Sequence, residues 1–63
     1  MFKDNLKALR KSAGLSQSQL ADMLNVSYKT VSHWESGYSE PSIIQLTQLK
    51  SILGADYEEL LDK

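Results

Sequence analysis

Between residues 25 and 37 the chain reads NVSYKTVSHWESG. Tyr28, Lys29, Ser32, His33 and Ser36 stand in that stretch at helical spacing, with no carboxylate among them. Lysine donates hydrogen bonds, serine and tyrosine donate and accept, and histidine does either. The chemistry open to such a set is recognition rather than bond-making. The whole chain has 63 residues, one histidine and no cysteine, so no metal cluster and no thiolate centre can be assembled. It carries no nucleophile–base constellation, no phosphate-cradling glycine loop and too little length for a deep pocket. These features exclude a metal site and a cofactor, argue against an enzyme, and leave no small-molecule ligand evident.

At about 100° per residue, Val31 and Trp34 point to one side of a helix. Tyr28, Lys29, Ser32, His33 and Ser36 then fall within an arc of roughly 140° on the other. Groups of this kind can read base edges in a major groove, and a strip without carboxylates does not repel phosphates. The plainer reading is the solvated side of any amphipathic helix. Trp34 could serve as a stacking platform for single-stranded nucleic acid. Its phase with Val31 assigns it instead to the core.

The elements that must position this strip are punctuated regularly. Gly14, Gly37 and Gly54 each follow a segment of helical period, where a left-handed cap suits glycine. The first helix is expected over Phe2 to Ala13, with Phe2, Leu6, Leu9 and Ala13 on one stripe. A second opens at Ser16, where S-x-x-Q is a capping box and Leu15 and Leu20 have staple spacing. Leu20, Ala21 and Leu24 form its buried side, and it ends near Asn25. Ser27 caps a third helix, with Val26 and Val31 as its staple. Ser42 to Gln45 repeats the capping box before a fourth helix, with a buried face of Ile43, Leu46, Leu49, Ile52 and Leu53. Asp56 to Glu59 reads D-x-x-E before a last short helix carrying Tyr57, Leu60 and Leu61. The reading is an all-α domain of five helices, a single domain over residues 1–63.

The formal net charge is −1, but the charges are unevenly placed. Up to His33 the bases are Lys3, Lys7, Arg10, Lys11 and Lys29, against Asp4 and Asp22. From Trp34 onward Lys50 and Lys63 face Glu35, Glu40, Asp56, Glu58, Glu59 and Asp62. Such asymmetry can orient a protein on an anionic partner. No apolar run reaches membrane-spanning length and the N-terminus lacks a signal-peptide core, so a cytoplasmic protein is expected.

Two short helices meeting across a few residues have the spacing of a helix-turn-helix. The ordered elements L-S-Q-x-x-L-A at 15–21, V-S at 26–27, T-V-S-x-W-E-x-G at 30–37, P-S at 41–42 and L-G at 53–54 carry a resemblance. Residues 15–61 closely resemble the helix-turn-helix domain of the Cro/phage-repressor type, the XRE family. The resemblance implies a compact, lambda-repressor-like five-helix bundle with its helix-turn-helix at about 17–36. It implies a transcriptional regulator, bacterial or phage-encoded, that docks its third helix in the major groove of a double-stranded DNA operator. Repression by occupancy is the expected mode, and a homodimer the expected form on DNA. Its phage members are themselves a standard example of this docking.

By position, the resemblance makes Tyr28, Lys29, Ser32 and His33 base-facing, with Ser27 and Ser36 beside them. Tyr28 suits either a thymine methyl or a phosphate. Gln17 matches a phosphate-contacting glutamine at a helix N-terminus, where free amides favour an anion. Arg10 and Glu35 match an ion pair between the first and third helices, and Arg10 could also lie near a phosphate. Many relatives carry a base in the loop after the third helix. Here the loop reads YSEP, with Glu40 in that place, which leaves Ser36 and the Gly37 and Tyr38 backbone amides to meet phosphate oxygens. Tyr57, Leu60 and Leu61 are expected to divide between core and dimer patch. The rival reading is a protein-interaction module on the same fold, such as an antitoxin, motivated by the acidic second half.

Overall fold

The way each helix stops explains how five of them fit into so short a chain. The computed structural model describes residues 2–61 and gives α1 (Phe2–Ser12), α2 (Gln17–Leu24), α3 (Tyr28–Ser36), α4 (Ile43–Leu53) and α5 (Tyr57–Leu61). Gly14, Asn25, Gly37 and Gly54 follow α1 to α4, and each has positive φ. In each case the next residue's N–H reaches five residues back. Leu15 donates to the Arg10 carbonyl, Val26 to Ala21, Tyr38 to His33 and Ala55 to Lys50, at 2.9 to 3.1 Å. This left-handed turn satisfies carbonyls that a helix end otherwise leaves bare, and reverses the chain at once.

The starts are equally local. Ser16 Oγ accepts from the Gln19 N–H at 3.0 Å while Gln19 Oε1 accepts from the Ser16 N–H at 2.8 Å. Ser42 and Gln45 repeat the exchange at 3.1 and 2.8 Å. Ser27 Oγ accepts from the Thr30 N–H at 3.3 Å. At α5 the Glu59 carboxylate accepts from the Asp56 N–H at 3.1 Å, the reach-back half of the predicted box.

Leu6, Leu20, Ala21, Leu24, Val31, Trp34, Leu49, Ala55 and Leu60 make one core cluster. Helices this short are unstable alone, so burial against this cluster holds them. Phe2, Leu9, Leu15, Val26, Leu46, Ile52 and Leu53 pack around it. The Asn5 amide donates to the Leu60 carbonyl at 3.2 Å and joins α1 to α5. Thr47 Oγ1 and Tyr57 Oη, 3.0 Å apart, join α4 to α5. The body measures 25 × 22 × 21 Å.

Two apolar expectations fail. Ala13 lies beyond the end of α1 and is exposed, because the cap at Gly14 closes the helix at Ser12. Ile43 is 80% exposed, and its neighbour Ile44 73%. They occupy the first turn of α4, and the covered side of that helix begins only at Leu46. In α5, Leu60 is fully buried while Tyr57 and Leu61 are exposed. Asp62 and Lys63, counted above among the charges, lie outside the described residues.

Candidate nucleic-acid interface

The turn between α2 and α3 contains only Asn25, Val26 and Ser27. Asn25 takes φ 58°, a conformation asparagine tolerates better than most residues. Val26 then packs on the core and Ser27 starts α3. Val31 and Trp34 fix the rotation of α3, with 0% and 2% of their surfaces exposed. Trp34 is therefore a core residue, as its phase predicts, and not a stacking platform.

With α3 so anchored, its other side faces outward. Tyr28, Lys29 and Ser36 are exposed, and Ser32 and His33 are partly so. The one carboxylate in this helix, Glu35, is turned inward. Arg10 Nε and Nη2 donate to its two oxygens at 2.6 and 3.0 Å, and Gln17 Nε2 adds a bond of 3.1 Å. Arg10 Nη1 donates to the Leu15 carbonyl at 2.7 Å. Hydrogen bonding to Glu35 raises the arginine's pKa further, while burial opposes it. Among the described residues no buried side-chain nitrogen or oxygen lacks a partner. The strip on α3 thus carries no carboxylate of its own helix.

The predicted contacts do not all lie where the sequence puts them. Arg10 is 7% exposed and its guanidinium braces α1 against α3, so it is not a surface cation open to a phosphate. The Gly37 N–H donates to the Trp34 carbonyl at 3.3 Å and the Tyr38 N–H to His33 at 2.9 Å. Both amides close α3, which removes them as phosphate donors. Ser36 Oγ donates to the His33 carbonyl at 3.1 Å. Ser27 Oγ is engaged with Thr30 through its N–H and its hydroxyl, the latter at 3.0 Å. The Gln17 side chain leans on Glu35; of the first-turn N–H groups of α2, that of Gln19 is taken by Ser16 Oγ, and those of Gln17 and Ser18 have no acceptor within the helix.

Two contacts beside the strip were not anticipated from the sequence. The Tyr38 ring lies against the His33 imidazole, centroids 4.7 Å apart and planes tilted by 48°. The Lys3 side chain crosses Gly37, its Cδ 3.1 Å from where a β-carbon would stand. The Tyr38 contact had a signal, since the residue after a glycine cap often packs back on the last helical turn. The Lys3 contact joins segments distant in the chain and had none.

A helix-turn-helix family model matches residues 6–60 of the chain. The SPbeta prophage-derived uncharacterized HTH-type transcriptional regulator YonR of Bacillus subtilis (strain 168) is 39% identical over 61 residues, covering 97% of this chain and 56% of that protein. The HTH-type transcriptional activator BcrR of Enterococcus faecalis is 37% identical over 60 residues, covering 95% of this chain and 29% of that one. A crystal structure of a transcriptional regulator from Listeria innocua matches with a TM-score of 0.90 at 35% identity, over 100% of this chain and 59% of that chain. The chain thus spans between 29% and 56% of the length of these two curated relatives. Fold, turn geometry and these likenesses agree, and the chain belongs to the helix-turn-helix family of the Cro/phage-repressor (XRE) type.

Proposed function

We propose that these residues form one sequence-specific, double-stranded DNA-binding domain of a transcriptional regulator, acting in the bacterial cytoplasm without catalysis. The observation that carries the reading is the outward strip of α3, cleared of carboxylate by the inward turn of Glu35. In this reading α3 lies in the major groove. Lys29 donates to guanine N7 and O6 or to a phosphate, and His33 and Ser32 meet base edges. Tyr28 meets a thymine methyl or the backbone. The Gln17 and Ser18 N–H groups at the start of α2 face a phosphate. Ser27 and Ser36 flank the strip, the Ser36 hydroxyl as an acceptor because it already donates to the His33 carbonyl. Repression follows from occupancy, and two copies on a palindrome supply contacts that one helix lacks.

The test is selection of bound duplexes from a random pool, followed by fluorescence anisotropy on the selected sequence. A palindromic motif is expected, with a steep loss of affinity as salt rises. The reading fails if the Lys29→Ala, His33→Ala double variant binds the selected duplex as tightly as the parent.

A second reading, an antitoxin-like protein-interaction module, draws on the exposed Ile43 and Ile44 beside an acidic second half. It predicts a random pool that yields no enriched sequence, together with a cognate protein that shields those isoleucines from hydrogen exchange.

A further inference from the structure

Helices α1 to α4 end in the same turn, so the residue just past each cap occupies an equivalent place. At three of the ends that residue turns inward. Leu15 and Val26 pack against the core and Ala55 lies within it. At the fourth end, Tyr38 turns outward and is 80% exposed. Its ring rests on His33, the residue to whose carbonyl its own N–H is bonded at 2.9 Å. Backbone and ring together bind Tyr38 to one member of the α3 strip.

An exposed imidazole samples several rotamers, and fixing one costs conformational entropy on binding. A ring packed against it in the free protein restricts that freedom beforehand. We propose that Tyr38 is a positioning residue for His33. It holds the imidazole in the orientation from which it meets a base edge, so that the end of α3 contributes to sequence discrimination. The inference rests on His33 being a groove-facing contact. Tyr38 requires no base contact of its own to act in this way. A tyrosine ring suits the place, because aromatic pairs favour tilted contact at about 4.5–7 Å between centroids.

The test compares Tyr38→Ala, Tyr38→Phe, His33→Ala and the double variant His33→Ala, Tyr38→Ala. Each undergoes duplex selection and anisotropy titration, below its thermal midpoint as read by circular dichroism. His33→Ala is expected to flatten the preference at one base pair of each half-site. Tyr38→Ala should weaken the preference at that same base pair about five- to tenfold and leave the others intact. Tyr38→Phe keeps the ring and should keep the preference. The double variant should be no worse than His33→Ala alone. A uniform loss across all sequences, equal in the parent and His33→Ala backgrounds, overturns the inference, because Tyr38 then touches the backbone by itself. A Tyr38→Ala variant with unchanged preferences overturns it as well. If His33→Ala changes no preference, the groove contact assigned to His33 fails first and the inference falls with it.

Discussion

Arg10 grips both carboxylate oxygens of Glu35, with hydrogen bonds of 2.6 and 3.0 Å from a guanidinium that is almost wholly buried. This one pair joins α1 to α3 and keeps a negative charge off the outward strip.

Removing one partner leaves the other charge buried and uncompensated, at about 3–5 kcal/mol. Small domains hold little more than that in total. Glu35→Ala is therefore expected to be largely unfolded at room temperature in urea titrations followed by circular dichroism. The double change Arg10→Met, Glu35→Leu should recover most of the stability, because an apolar pair of similar volume avoids desolvating two ions. The raised pKa of Arg10 means its stabilisation is complete below the unfolded value and lost only as pH climbs past the folded one. Its titration should leave stability flat between about pH 6 and 9, since arginine titrates far above that window.

Gly37 has φ +81° and Gly54 φ +62°, a region that a β-carbon disfavours. Alanine at either place should lower stability by about 1–2 kcal/mol. The two should differ in their neighbours. A β-carbon on Gly37 meets Lys3 Cδ at 3.1 Å, while one on Gly54 meets nothing within 4 Å. Adding Lys3→Ala should relieve a few tenths of a kcal/mol from Gly37→Ala and nothing from Gly54→Ala. Thermal unfolding of the four single and double variants checks this.

Helix ends were the most legible part of the sequence, because caps act within a few residues. Ser16, Ser27 and Ser42 start helices, and the glycines stop them, by bonds that never leave the local chain. Val31 and Trp34 were equally legible, since their phase on α3 opposes five polar residues. Ile43 was not, because its period on α4 matches that of Leu46 and Leu49. Periodicity carries no information on where the covering elements run out. The bond from Gln17 to Glu35 was not legible for a related reason, since tertiary packing sets its partner. The Gly37 and Tyr38 backbone amides are taken by the cap that ends α3.

Leu49 is fully buried within the core cluster, on the helix that faces α2. Leu49→Ala should cost about 2–5 kcal/mol, a transfer loss plus a cavity that so small a body closes poorly. Ile43→Ala, four-fifths exposed at the head of the same helix, should change stability by less than about 0.5 kcal/mol. Chemical denaturation of both variants gives the contrast. Equal losses would mean that Ile43 is covered in solution.

Lys29 separates two kinds of contact. If it meets a phosphate, Lys29→Ala should weaken binding evenly across sequences and reduce the salt slope by about one. If it meets guanine, the loss should be about 1–3 kcal/mol and confined to one base pair. Anisotropy titrations over a range of salt, on the selected duplex and single-base variants of it, discriminate between these outcomes.

The caps at Ser27 and Gly37 also limit how much α3 can read. They fix it at nine residues, about 14 Å of helix. That length lies along about four base pairs of a duplex rising 3.4 Å per step. A four-letter word recurs by chance roughly once in 250 base pairs, against the 10⁶ or more competing sites of a genome. In the proposed reading, lengthening the word on α3 would require breaking a cap, and repetition is the route to a longer address that leaves both caps intact. Two copies of α3 on an eight-letter palindrome recur by chance only about once in 65,000 base pairs.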